Sequence, residues 1–133
     1  MKSDVAAARK ILAAENLTCV LVRGEHIYRS NEAGVRPLVA WLDNGIDARG
    51  FSAADKVIGK AAALLFVYLG VSEVYGKIIS KAAIPVFEKH KIKCACGELV
   101  DSINNCRMEA AVADINESEA ALRAIKEVCK SQK

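Results

Sequence analysis

Residues 50–65, GFSAADKVIGKAAALL, constrain this chain more than any other stretch. An apolar run passes into a helix-forming run, with Asp55, Lys56, Gly59 and Lys60 packed around the junction. The reading is a short buried strand over 50–54, then a helix over about 56–69 closed by Gly70. Joints of this kind belong to α/β sheets. The first helical N–H groups there are unpaired and point outward, so ligands collect at them.

The flanking sequence extends the pattern. Ser3 and Asp4 open an amphipathic helix with Val5, Ile11 and Leu12 as its apolar positions, ending near Asn16. Residues 17–23 are β-rich, Gly24–Glu25 is a turn signal, and 26–29 make the second arm of a hairpin. Pro37 fits the first turn of a helix carrying Leu38, Val39, Trp41 and Leu42, which stops at Asn44–Gly45. Further on, 73–79 reads as a strand, Ser80 caps a helix kinked at Pro85, and 92–95 is the last strand. Helices over 108–113 and 118–130 follow, the second capped by Ser118.

This order predicts an α/β fold, a three-layer α/β/α sandwich. Its mixed, mostly parallel sheet has about five strands and an N-terminal β-hairpin. The last three strands are short and apolar, as strands covered on both faces should be. No linker or repeat divides the 133 residues, which read as a single domain, with an N-terminal helix in 1–16 and C-terminal helices in 106–133.

Composition excludes several classes. The chain is 53% hydrophobic and 26% charged, as ordered globular proteins are. A net charge of +3 is too small to imply nucleic acid by itself, and the 5% aromatic residues do not interleave with basic ones, so no nucleic-acid partner is expected. The longest apolar run, 61–71, is too short to span a bilayer, and residues 1–16 lack the apolar core of a signal peptide. No membrane partner is expected, and the expected location is cytoplasmic. Five cysteines, an odd number, read as free thiols.

Candidate site residues gather at one sheet edge. Asp55, Lys56, Gly59 and Lys60 make an anion pocket at a helix start, against the plainer reading of a cap and solvated lysines. Asn31, Gly34, Ser80 and Lys81 belong to the same edge. Glu32, flanked by Arg29 and Arg36, and Asp55 are the acid/base candidates; Lys56 or Lys60 would stabilise developing negative charge. Cys106 at a helix start is a minor nucleophile candidate, with Glu109 beside it. Cys94 and Cys96 share one face of a strand, but paired knuckle spacings are missing, and His26 and His90 have no partner at ligand spacing. No metal and no other cofactor is expected; Cys19 and Cys129 read as core.

The segments SNEAGVRPL (30–38), ADKVIGKAAALL (54–65), EVYGKIISKAA (73–83) and CRMEAAVADI (106–115) resemble the domain-of-unknown-function 1893 family. The likeness runs from Leu17 onward, and ADK-x-x-GKAAA carries it best. In the last motif the family pattern is Cys-Pro-x-Glu, and Arg107 stands here at the proline. The resemblance implies a cytidine deaminase-like fold. Zinc deaminases place a His or Cys followed by Glu at one helix start and Pro-Cys-x-x-Cys at the next. This chain offers Asn31-Glu32-Ala33-Gly34 and Asp55 to Lys60, with no Cys or His at either, so it is not expected to be a zinc-dependent deaminase. The expected function is binding of a small anionic or nucleotide-like metabolite at the strand ends. The alternative is a non-catalytic regulatory or protein-interaction module, and a homo-oligomer fits either.

Overall fold

Buried side chains on both sides of one strand set the architecture. In β1 (Cys19–Arg23), Cys19 and Leu21 enter one core while Val20 and Val22 enter another. Consecutive side chains point to opposite faces, so such a strand needs a covering layer on each. β2 (His26–Ser30) pairs antiparallel with β1 across Gly24 and Glu25, with Val22 opposite Ile27. β3 (Ser52–Ile58) pairs antiparallel on the other side of β1, with Cys19 opposite Asp55. β4 (Glu73–Ser80) and β5 (Lys93–Val100) add in parallel, giving the five-stranded mixed order β2-β1-β3-β4-β5. The computed structural model describes residues 3–104 and 106–131.

The two faces are covered unequally. α1 (Asp4–Ala14), capped by Ser3 Oγ accepting from the Ala6 amide at 3.2 Å, covers one face. Its Ala8 and Leu12 pack with Val20, Val22 and Ala54, and the Arg9 guanidinium lies 4.0 Å from the centre of the Tyr75 ring. The other face gathers α2 (Arg36–Asp43), α3 (Lys60–Leu69), α4 (Ile84–Lys89), α5 (Cys106–Val112) and α6 (Ser118–Ser131). α3 is apolar nearly all round because it lies between the sheet and α6 and also meets α2, α4 and α5. Its end is set by Gly70, whose φ of 91° is left-handed and whose amide donates to Phe66 and Val67 carbonyls. Among the described residues no helix is long and apolar enough to cross a membrane.

Several expected boundaries are corrected. β3 continues through Asp55 and Lys56 to Ile58, and α3 opens at Lys60. Asp55 and Lys56 therefore stand within a strand and not at a helix start. β-branched Val57 and Ile58 extend the strand, and Gly59 makes the turn. β5 runs over Lys93–Val100 rather than 92–95, lies at the sheet edge, and is exposed from residue 93 to 99, so it is not covered on both faces. Ser80 precedes a 3-10 turn (Lys81–Ala83) without capping it, and Pro85 sits in the first turn of α4, where it causes no kink. At α6 the cap is Glu117, whose Oε2 accepts from the Ala120 amide at 2.9 Å; Ser118 does not serve.

Candidate functional site

β3, β4 and β5 run parallel, so their carboxyl ends share an edge, and a cleft of about 690 Å³ opens there. Val57, Ile78 and Val100 supply its apolar floor from the three strand ends, with Met108 added from α5. The polar side chains are Arg36 at the start of α2, Ser102 and Asn104 after β5, and Glu109 from α5. Arg36 has no ion-pair partner among the described residues.

The N-terminus of α3 borders this cleft, but its donors are taken. Glu109 Oε1 accepts from the Lys60 amide at 2.7 Å, and Oε2 accepts from the Ala61 amide at 3.0 Å. A carboxylate at this end of a helix satisfies two orphan donors and meets the positive end of the dipole. Gly59 leaves room for it: a Cβ there would collide with Glu109 Oε1 and come within 2.5 Å of Ile103 Cδ1. The Lys60 ammonium turns to the Ala113 carbonyl at 2.8 Å, at the carboxyl end of α5. The chain's own Glu109 thus sits where a bound anion would.

Asp55 does not line the cleft. It is 4% exposed, Oδ1 accepts from the Val57 amide at 3.3 Å, and Oδ2 has no partner. Burial pushes its carboxyl up to about 7, against the pull of the Val57 amide, the Cys19 thiol and the Lys56 amide. Burial first, and the Asp55 charge second, push the Cys19 thiol well above its ordinary range. Lys56 reaches away to Asn16 Oδ1 at 3.2 Å.

The remaining candidates scatter. Asn31 and Glu32 are exposed, and the Glu32 carbonyl accepts from the Thr18 hydroxyl at 2.7 Å. Arg29 pairs with Glu15 at 2.9 Å rather than with Glu32. Ser80 is buried with an unpartnered hydroxyl, and Lys81 pairs with Asp101 at 2.7 Å. Cys94 and Cys96 are exposed rather than buried, and Cys129 is half-buried on the cleft wall. Partial burial, with a lesser contribution from Cys96, pushes Cys94 to about 11. The Cys106 side chain lies outside the described residues, so its pairing with Glu109 does too. Among the described residues no three His, Cys, Asp or Glu converge as a metal site would need.

Gly34, Gly59 and Glu109 therefore meet at the cleft, while Asp55, Lys56, Lys60, Ser80 and Lys81 do not line it. Arg36, Met108, Ser102 and Asn104 were not among the sequence candidates. A charged residue immediately before the helix-opening Pro37 was a usable signal for Arg36; the segment after β5 carried none.

A family model described as "TM1506: Domain of unknown function (DUF1893)" matches residues 7–129. Among solved structures, a DUF1893 family protein (TM1506) from Thermotoga maritima superposes with a TM-score of 0.83 at 22% identity. The match covers 98% of this chain and 92% of that one, a likeness of fold. No curated protein matches this chain.

Proposed function

The chain belongs to the DUF1893 family of domains of unknown function, and on that footing we propose that it binds a small molecule with an apolar body and one anionic group. The body rests on Val57, Ile78, Val100 and Met108, and the anion meets Arg36. The single observation behind this reading is the cleft of about 690 Å³ at the parallel strand ends, apolar in its floor and furnished with one unpaired cation. A nucleotide-like metabolite has this character: a flat ring that sheds water readily, and an anionic end that an arginine fork grips in a planar, bidentate way.

In our reading the element order supports a cytidine deaminase-like fold, with the cleft beside the two helix starts that hold zinc in the deaminases. Those starts here are Arg36, after the loop that holds Asn31, Glu32 and Gly34, and Gly59 with Lys60, none of them a thiol or imidazole. Binding without zinc hydrolysis is the function this residue set supports.

A thermal-shift screen against nucleotides, nucleosides, phosphorylated sugars and carboxylate metabolites tests the proposal. One anionic class should raise the melting temperature by mass action. That shift should vanish in Arg36→Ala and in the cleft-filling Met108→Trp, and should persist in Lys60→Ala, whose ammonium is committed to Ala113. A shift that survives Arg36→Ala and Met108→Trp, or no shift with any class, overturns it.

A further inference from the structure

β5 is the bare edge of the sheet. Residues 93–99 are all exposed, Leu99 is 48% exposed, and the helices of the thicker layer gather elsewhere. A free edge displays a row of unpaired N–H and C=O groups, a template for another strand. Native edges are usually short, bulged, covered, charged or interrupted by proline. This one spans eight residues, KCACGELV, has no proline, and carries two charges, Lys93 and Glu98.

We propose that β5 pairs antiparallel with β5 of a second copy, with Gly97 on the two-fold axis, so that one sheet runs through both chains. The axis stands normal to the sheet and keeps every side chain on its own face. Residues that meet across it must therefore be an even number apart in sequence, which leaves few registers. The register centred on Gly97 sets Lys93 opposite Asp101 of the partner subunit, and Asp101 opposite Lys93 of the partner subunit. It also sets Ala95 opposite Leu99 and Cys94 opposite Val100, so every β5 residue finds a counterpart. The register centred on Cys96 sets Lys93 opposite Leu99 and Cys94 opposite Glu98, and its one opposite-charge match, Asp101 with Lys91, falls on a left-handed turn residue before β5 (φ 57°) and not on the strand. Charge complementarity selects the first.

Asp101 is suited to the role. Its side chain is 87% exposed, and its ion pair to Lys81 occupies one side of it. It also directly precedes Ser102, Ile103 and Asn104, which line the cleft. A lysine arriving from the second copy would therefore fasten the segment that forms one cleft wall. The assembly stands on the edge strand alone and does not depend on the ligand reading.

Sedimentation velocity and light scattering over a concentration series test this on four proteins: the native chain, Lys93→Asp, Asp101→Lys and the double exchange. The native chain should dimerise. Each single variant faces like charges and should weaken the dimer by roughly tenfold or more. The double exchange should restore it, although it lacks the Lys81–Asp101 pair as Asp101→Lys does, so restoration reports the contact between copies. Circular dichroism confirms that each variant is folded. A native chain that is monomeric at every concentration, a dimer that ignores both single exchanges, or a double exchange that fails to recover overturns the proposal.

Discussion

At the scale of the residue, Asp55 carries a measurable signature. Its folded pKa of about 7 lies above the ordinary 3.8 because burial disfavours the anion. Between those values the native state holds a proton that the unfolded chain has released. Stability therefore falls as pH rises from about 4 to about 7, then levels off. Asp55→Asn keeps the acceptor for the Val57 amide and removes the titration. Denaturant unfolding across that range should show the native slope flattened in the variant, with the substitution stabilising by a few kcal/mol at about pH 8 and little at about pH 4. An unchanged slope would falsify the assignment. The sequence made Asp55 visible but misplaced it, at a helix start and not within β3. Asp and Lys are depleted in strands, so the pair read as a helix start; the β-branched Val57 and Ile58 beyond them, together with pairing to β1 and β4, carried the strand through.

Elements meet most tellingly where α5 caps α3. Glu109→Ala leaves the Lys60 and Ala61 amides without acceptors, and should cost about 1–2 kcal/mol of stability in urea unfolding. It also uncovers a helix N-terminus, so sulfate or phosphate should stabilise this variant more than the native chain; equal salt effects on both would argue against the cap. Gly59→Ala should act in the same direction by about 1–2 kcal/mol, because its Cβ displaces the Glu109 carboxylate and presses Ile103. None of this could be read locally. Periodicity announces a helix and its own flanking cap, but this cap arrives from 49 positions along the chain. The same blindness explains β5: an apolar start at Ile92 and two cysteines look like a covered strand, and only the placement of the helices over the neighbouring strands leaves it bare. Elements with complete local signals, Ser3 before α1 and Pro37 at the start of α2, were legible without the structure.

For the whole molecule, the unequal layering separates stability from the cleft. Leu12 is buried with Val20 and Val22 on the α1 side, whereas the cleft is bordered by α2, α3 and α5. Leu12→Ala should therefore lower stability by about 2–4 kcal/mol in denaturant titration while leaving ligand affinity at the cleft unchanged in calorimetry. A matching loss of affinity would mean that the two faces are coupled through the sheet. The α/β class and parallel crossovers could be read from element order alone, but the imbalance could not, because amphipathicity says that a helix has a buried side without saying which face receives it. That imbalance has a kinetic consequence. Since α1 is the one helix over β1, β3 and β4 on its face, a single detachment of α1 uncovers Val20, Val22 and Ala54 together, with the backbone of β1 and β3 beneath them. Amide hydrogens of α1 should exchange by this partial opening, well below the cost of global unfolding. Opening of this seam also bares adjoining β-strands, so this excursion from the native state is at the same time a step toward aggregation.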